Sequence, residues 1–314
     1  MASAGRRPDE RSLGRALLVS LRPHQWTKNL IVFAGIIFSE RLLEPGALAR
    51  SAAALAIFCA LSSAAYLLND IHDREADRQH PLKAGRPIAS GVLPVPLALG
   101  VAIALAACGM AAALFLRWQF AALGAGYLAL QALYSGPLKR IVIIDVLAIA
   151  AGFVLRAAAG AAAIAVPMSS WLLVVTVLLA LFLALSKRRH ELVLLADGAA
   201  NHRPILGEYS PYLLDQMISV VTASTLVAYA FYTISPETQE KFHTNLLGLT
   251  LPFPLYGIFR YLYLVHRKDL GGSPSELLLA DKPLLLCVAL WALTVMAIIY
   301  GPQIWEHRMW RAVV

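Results

Sequence analysis

Asn69-Asp70-Ile71-His72-Asp73-Arg74-Glu75-Ala76-Asp77 follows directly on an apolar run spanning residues 47–68. If the helix continues through the motif, Asp70, Asp73 and Asp77 fall at i, i+3 and i+7 and share one face. Asn69 and Asp73, at i and i+4, are neighbours at the edge of that face. Three carboxylates on one face repel each other unless cations join them. Oxygen ligands in this pattern suit a hard divalent cation, and Mg²⁺ in particular when a phosphate completes its shell. Lys83 and Arg86 follow closely and suit the same phosphate. The competing reading, a solvated charged loop between helices, leaves the repulsion unanswered.

The chain around this motif has the composition of a membrane protein. Of 314 residues, 59% are hydrophobic and 15% charged, and the mean hydropathy is +0.66. Several apolar runs approach the ~20 residues that cross a bilayer as helix. They predict nine transmembrane helices, at 29–43, 47–68, 94–116, 119–136, 141–165, 169–186, 212–234, 245–265 and 283–301. The first has a short apolar core, Leu30 to Phe38. The fourth contains Gly124 and Gly126, and the Ala-rich 147–165 stretch contains Gly152 and Gly160. Small residues at these places suit close helix packing within a membrane.

Most lysines and arginines outside these runs fall on the side shared by the N-terminal arm, with Arg308 and Arg311 as the misfit. That asymmetry predicts a cytoplasmic N-terminus. The expectation is one all-α integral membrane domain over 1–314, with residues 1–22 as a basic cytoplasmic arm. The location expected for it is a bacterial inner (plasma) membrane. Anionic lipid and a phosphorylated substrate account for the net charge of +8 without nucleic acid. Cys59, Cys108 and Cys287 lie alone in predicted spans, without metal-ligand spacing, and read as packing residues. A homo-oligomer is compatible with such a chain.

Ionisable groups recur at the cytoplasmic ends of the spans. Arg22-Pro23-His24-Gln25-Trp26-Thr27-Lys28-Asn29 precedes the first, and Lys28 and Asn29 are expected to enter a cavity there. Tyr134-Ser135-Gly136-Pro137-Leu138-Lys139-Arg140 follows the fourth. Asp145 and Arg156 are eleven residues apart, close to three turns, which sets Arg156 about 16 Å deeper on the same side. A charge at that depth needs a polar cavity or a partner, so Arg156 reads either as a wall of an anion-binding cavity or as half of a structural ion pair. The sixth span ends Ser186-Lys187-Arg188-Arg189-His190-Glu191, where Lys187 and Arg188 can each pair with Glu191.

The Asn69-Asp70-x-x-Asp73-x-x-x-Asp77 pattern, with Arg86-Pro87 after it and nine spans, resembles the UbiA superfamily of intramembrane prenyltransferases. Within it, the resemblance is greatest to the decaprenyl-phosphate phosphoribosyltransferases. It rests on Arg22-Pro23-x-Gln25-Trp26-x-Lys28-Asn29, Tyr66 with Asn69 and Asp73, and Asp77-Arg78-x-His80-Pro81-x-Lys83. Tyr134-Ser135 with Lys139, Asp145, Gly152-Phe153-x-x-Arg156-Ala157-x-Ala159-Gly160 and Lys187-Arg188-x-x-Glu191-Leu192 extend it. Members that use a prenyl diphosphate usually carry a second aspartate-rich motif after the sixth span. This chain has cations there, which fits a donor phosphorylated at two ends, such as phosphoribosyl diphosphate.

The resemblance implies a UbiA-type bundle with a cytoplasm-facing cavity. It implies transfer of 5-phosphoribose from phosphoribosyl diphosphate to a polyprenyl (decaprenyl) phosphate for cell-wall precursor synthesis. Asn69 and Asp73, helped by Asp70 or Asp77, would hold Mg²⁺. Lys83, Lys139 and Arg156 would take the donor's phosphates, with Lys28 and Lys187 as further candidates. Tyr66, Arg86, Asp145, Arg188 and Glu191 complete the expected substrate contacts. Two rivals are an aromatic prenyltransferase with a prenyl diphosphate donor and a transporter of an anionic solute. The gathering of charge on one face, rather than along a route across, speaks against the transporter.

Overall fold

The computed structural model describes residues 10–81, 83–195, 204–268 and 274–313. Residues 1–9 of the N-terminal arm, with Arg6 and Arg7, and the 196–203 stretch with Arg203 lie outside the described residues. Among the described residues every regular element is helical. Six helices are long and apolar enough to cross a membrane: α3 (Pro45–His72), α5 (Val95–Leu116), α7 (Ile144–Ala163), α8 (Ser170–Leu195), α9 (Pro211–Ile234) and α13 (Lys282–Val313). The chain is a multi-pass membrane protein. Neighbours pack α3 on α5, α6 (Trp118–Ser135) on α7, α7 on α8 and α8 on α9, while α11 (Pro252–Arg267) lies along α13. Membrane-facing positions stay apolar and exposed, as at Phe115, Val220 and Phe259, because lipid takes the place of a protein neighbour there.

The segment expected as a helix over 29–43 takes another form. From Pro23 to Phe33 the chain is a 3₁₀ helix, followed by a four-residue helix α2 (Ala34–Ile37). A 3₁₀ helix rises ~2.0 Å per residue against ~1.5 Å in an α-helix, so these fifteen residues reach about 28 Å. Only the second half of this length, from Leu30 on, is apolar; residues 23–29 carry His24, Gln25, Thr27, Lys28 and Asn29. Its packing against α7 depends on small residues. A Cβ on Gly160 would run into the Val32 carbonyl, and one on Gly35 would lie 2.9 Å from the Ala161 backbone.

Other boundaries also shift. Residues 10–21 of the expected arm form α1 (Glu10–Leu21). Its Leu13, Ala16, Leu17 and Leu21 pack with Leu67, Ile88 and Leu93 beside the end of α3. The 245–265 run is broken into a 3₁₀ turn, Leu246–Thr250, and α11, since Pro252 at the start of α11 cannot donate to a continuing helix. The α8 helix runs on to Leu195, which keeps Lys187, Arg188 and Glu191 on a rigid helix.

Gly160→Val should therefore lower stability by ~1–3 kcal/mol or more through overpacking, read as a reduced melting temperature in detergent. Gly100→Ala, where no atom crowds the new Cβ, should leave the melting temperature unchanged or slightly raised.

Candidate active site

The acidic motif straddles a joint. The α3 helix ends at His72, Asp73 caps it, and a short helix α4 (Arg74–Gln79) follows. The Asp73 amide still donates to the Asn69 carbonyl at 2.9 Å, and the Asp77 amide to the Asp73 carbonyl at 2.8 Å. Helical phase is thus kept, and all four motif side chains line one cavity of about 1990 Å³. That volume exceeds the ~300–1,000 Å³ of an ordinary small-ligand pocket and leaves room for two substrates.

The four side chains divide into two sets. Asp70 and Asp77 are buried at 3% and 4% exposure. Arg86 Nη1 donates to Asp70 at 3.0 Å and to Asp77 at 2.7 Å, and Arg22 Nη2 donates to Asp70 at 2.5 Å. Asn69 and Asp73 are less enclosed. Asn69 Nδ2 donates to Asp73 Oδ2 at 3.2 Å, Ser135 Oγ donates to Asn69 Oδ1 at 2.9 Å, and Lys139 Nζ donates to Asp73 Oδ1 at 2.6 Å. Among the described residues no three His, Cys, Asp or Glu side chains gather as a metal-ligand cluster.

The donor set of Asn69 and Asp73 nevertheless fits Mg²⁺. This ion commonly takes one or two protein oxygens and fills its octahedron with water and substrate phosphate. Lys83 lies 4.0 Å from Asp77 and, like Arg86 and Lys139, lines the cavity. Tyr66 also lines it, with the Arg22 guanidinium 5.2 Å above its ring. Arg22 has left-handed backbone, φ 55°, a conformation uncommon for a residue with a Cβ. It was not among the expected site residues; the Asp70 bond that aims it joins residues 48 apart in sequence.

Asp145 and Arg188 lie elsewhere. Neither lines the cavity. Both are fully enclosed, at 0% and 1% exposure, and form an ion pair with Arg188 Nε donating to Asp145 Oδ2 at 2.7 Å. Tyr209 Oη donates to the other Asp145 oxygen at 2.8 Å, and Arg188 also donates to Glu191 at 2.8 Å and to the Tyr134 hydroxyl at 2.9 Å. Every edge of this pair is satisfied, as burial of two charges requires. Lys187, 3.8 Å from Glu191, lines the cavity with it.

Arg156 does line the cavity, but its guanidinium is held from within the bundle. It donates to Asn29 Oδ1 at 2.8 Å, the Gly152 carbonyl at 3.0 Å and the Tyr127 hydroxyl at 2.8 Å, and lies 4.6 Å from the Tyr127 ring centre and 5.3 Å from that of Phe153. Asn29, expected to enter the cavity, is wholly buried and donates to Ser62 at 3.1 Å. Its neighbour Lys28 faces the cavity. The charged groups near it are the cations Lys187, Arg156 and Arg22 and the acid Glu276.

Comparison with known proteins agrees with this architecture. Residues 29–277 match the UbiA prenyltransferase family, and the chain belongs to that family. A decaprenyl-phosphate phosphoribosyltransferase of Corynebacterium glutamicum is 34% identical over 94% of this chain and 90% of its own. The Mycolicibacterium smegmatis protein of the same name is 32% identical over 92% of this chain and 94% of its own. Among solved structures, a UbiA homolog from Archaeoglobus fulgidus bound to GPP and Mg²⁺ superposes with a TM-score of 0.71 at 20% identity, covering 90% of this chain and 99% of that one.

Removing Asp145 strands a buried arginine. Asp145→Ala should destabilise the fold by ~3–5 kcal/mol, seen as a large drop in melting temperature; an unchanged melting curve with a raised substrate KM would instead make Asp145 a substrate contact.

Proposed function

We propose that the chain transfers 5-phosphoribose from phosphoribosyl diphosphate to a polyprenyl phosphate, releasing diphosphate, as a Mg²⁺-dependent glycosyltransferase. The observation that carries the reading is one cavity lined both by acidic-motif oxygens and cations and by apolar residues such as Ile31, Ile37, Leu179 and Trp291. Such a cavity suits a water-soluble anionic donor meeting a lipid acceptor. The names of relatives at 30–34% identity over most of the chain support the same choice. So does Lys187, a cavity cation where a second carboxylate motif would serve a second metal.

In this reading the whole chain is one UbiA-type domain crossing a bacterial inner membrane nine times. The six long helices are joined by the 3₁₀ segment with α2, by α6 and by α11. The N-terminus and the cavity mouth face the cytoplasm, where the donor is supplied.

The reaction needs little proton chemistry. An oxygen of the acceptor's phosphate attacks the anomeric carbon as its bond to diphosphate breaks, and that bond's electron pair leaves on the diphosphate. A phosphate monoester is already an anionic nucleophile, so no general base is required. Asn69 and Asp73 would hold Mg²⁺, which when bound neutralises charge on the departing diphosphate. Lys83, Arg86 and Lys139 would hold the donor's phosphate oxygens, and Lys187 its 5-phosphate. Tyr66 would donate to a phosphate or ribose oxygen. Asp70 and Asp77 act by anchoring Arg22 and Arg86, while Asp145 and Arg188 fix Glu191 and the face of α8 that carries Lys187. Alignment of two bound substrates and stabilisation of developing charge then supply the acceleration.

Membranes containing the protein, given labelled phosphoribosyl diphosphate and polyprenyl phosphate, should form a lipid-linked phosphoribose only when Mg²⁺ is present. Asp73→Ala should reduce this to background with the protein still inserted. Product formed only from a prenyl diphosphate and an aromatic acceptor would instead select aromatic prenyl transfer.

A further inference from the structure

The 3₁₀ geometry of residues 23–33 has three residues per turn, so side chains at i and i+3 stack over one another. Lys28 and Ile31 follow at that spacing, Ala34 and Ile37 continue the line on α2, and all four line the cavity. The segment therefore presents an ammonium heading an apolar stripe. A sugar phosphate has no use for the stripe, whereas a lipid phosphate matches both parts, its anionic head at Lys28 and its hydrocarbon tail along Ile31, Ala34 and Ile37.

Charge balance points the same way. Arg22, Lys83, Arg86, Lys139 and Lys187 each have a carboxylate within 4.0 Å. Among the described residues Lys28 has no such neighbour, and neither do Arg140, Arg156 and Lys241, the other cations lining the cavity. The charged groups acting on it are Lys187 from α8, Arg156 from α7, Arg22 from its own segment and Glu276 from the short helix α12 (Pro274–Ala280). Three cations against one acid leave an excess of positive charge that a bound anion would offset. Arg156 holds Asn29, the next residue, and so fixes the backbone from which Lys28 projects.

We propose that Lys28 and the stripe beneath it form the acceptor subsite, with the ammonium binding the polyprenyl phosphate's phosphate and Arg156 acting as a positioning residue through Asn29. This assignment rests on the phosphoribosyl-transfer reading above. It moves Lys28 and Arg156 from the donor's phosphates to the acceptor.

The test uses the full-length protein in nanodiscs, with both substrates varied. Loss of one charge-assisted hydrogen bond is worth ~1.5–3 kcal/mol, or roughly 10- to 150-fold. Lys28→Gln should raise the KM for polyprenyl phosphate at least tenfold while the KM for phosphoribosyl diphosphate stays within twofold, and Lys28→Arg should restore most of the loss. A second measurement reads binding without turnover. Wild-type protein should retain labelled polyprenyl phosphate in preference to the matching polyprenol, and Lys28→Gln should abolish that preference with its melting curve intact. A raised donor KM with unchanged acceptor KM, or an undiminished preference for the phosphorylated lipid in Lys28→Gln, overturns the assignment. Should wild-type protein form no lipid-linked phosphoribose, the proposed function fails, and the binding measurement still decides whether Lys28 recognises a lipid phosphate.

Discussion

A carboxylate at the end of an apolar helix must be neutralised before the bundle can close around it, and the acidic motif meets that demand three times over. Arg86 stands between Asp70 and Asp77, Arg22 adds to Asp70, and Lys139 reaches Asp73 from the turn after α6. Each pair ties a different part of the chain to the end of α3. The 3₁₀ segment is held through Arg22, the loop after α4 through Arg86, and α6 through Lys139 together with Ser135. At an effective dielectric near 20, charges ~4 Å apart attract by roughly 4 kcal/mol, enough to order these connections around one mouth. The rim of the cavity and the structural joints of the bundle are therefore the same residues.

A second constraint works at the level of packing. The chain threads an unusually long 3₁₀ segment between α3 and α7, and only small residues on α7 admit it. Gly160 receives the Val32 carbonyl and Ala161 meets Gly35. Close approach also places Asn29 beside Arg156, so that a charge set several turns into α7 has an oxygen to bond. An unpartnered arginine near the centre of a membrane helix costs about 2.5–3.5 kcal/mol. Here its three nitrogens all donate and two aromatic rings lie against it, and the backbone next to Lys28 is fixed as a result. Packing, polar satisfaction and the placement of a cavity cation are one arrangement.

The two halves of the expected site proved to have different physical standing. Asn69, Asp73, Lys83, Arg86, Lys139, Lys187 and Glu191 lie where a substrate can reach them. Arg188 shares α8 with Lys187 and Glu191, and Asp145 shares α7 with Arg156, yet Asp145 and Arg188 bond each other out of reach of the cavity. Periodicity assigns a residue to a face of its helix but does not say which neighbour that face meets. The face of α7 bearing Asp145 meets α8 at Arg188, and Tyr209 closes the network from a loop far along the chain.

The membrane class, most of the helices and the gathering of charge at one end were determined by the sequence itself, because hydropathy, helical period and like-charge repulsion act over a few turns. The acidic motif was legible for the same reason: its meaning lies in spacings of three, four and seven. Tertiary structure decided what depends on distant partners. It gave Asp70 and Asp77 to arginines and split the first apolar run between the end of a 3₁₀ segment and the four-residue helix α2. It also enclosed Asp145 with Arg188 and left Lys28 facing an open cavity without an acid beside it. Each of these follows from a contact between residues far apart in the chain, and local pattern carries no record of such contacts.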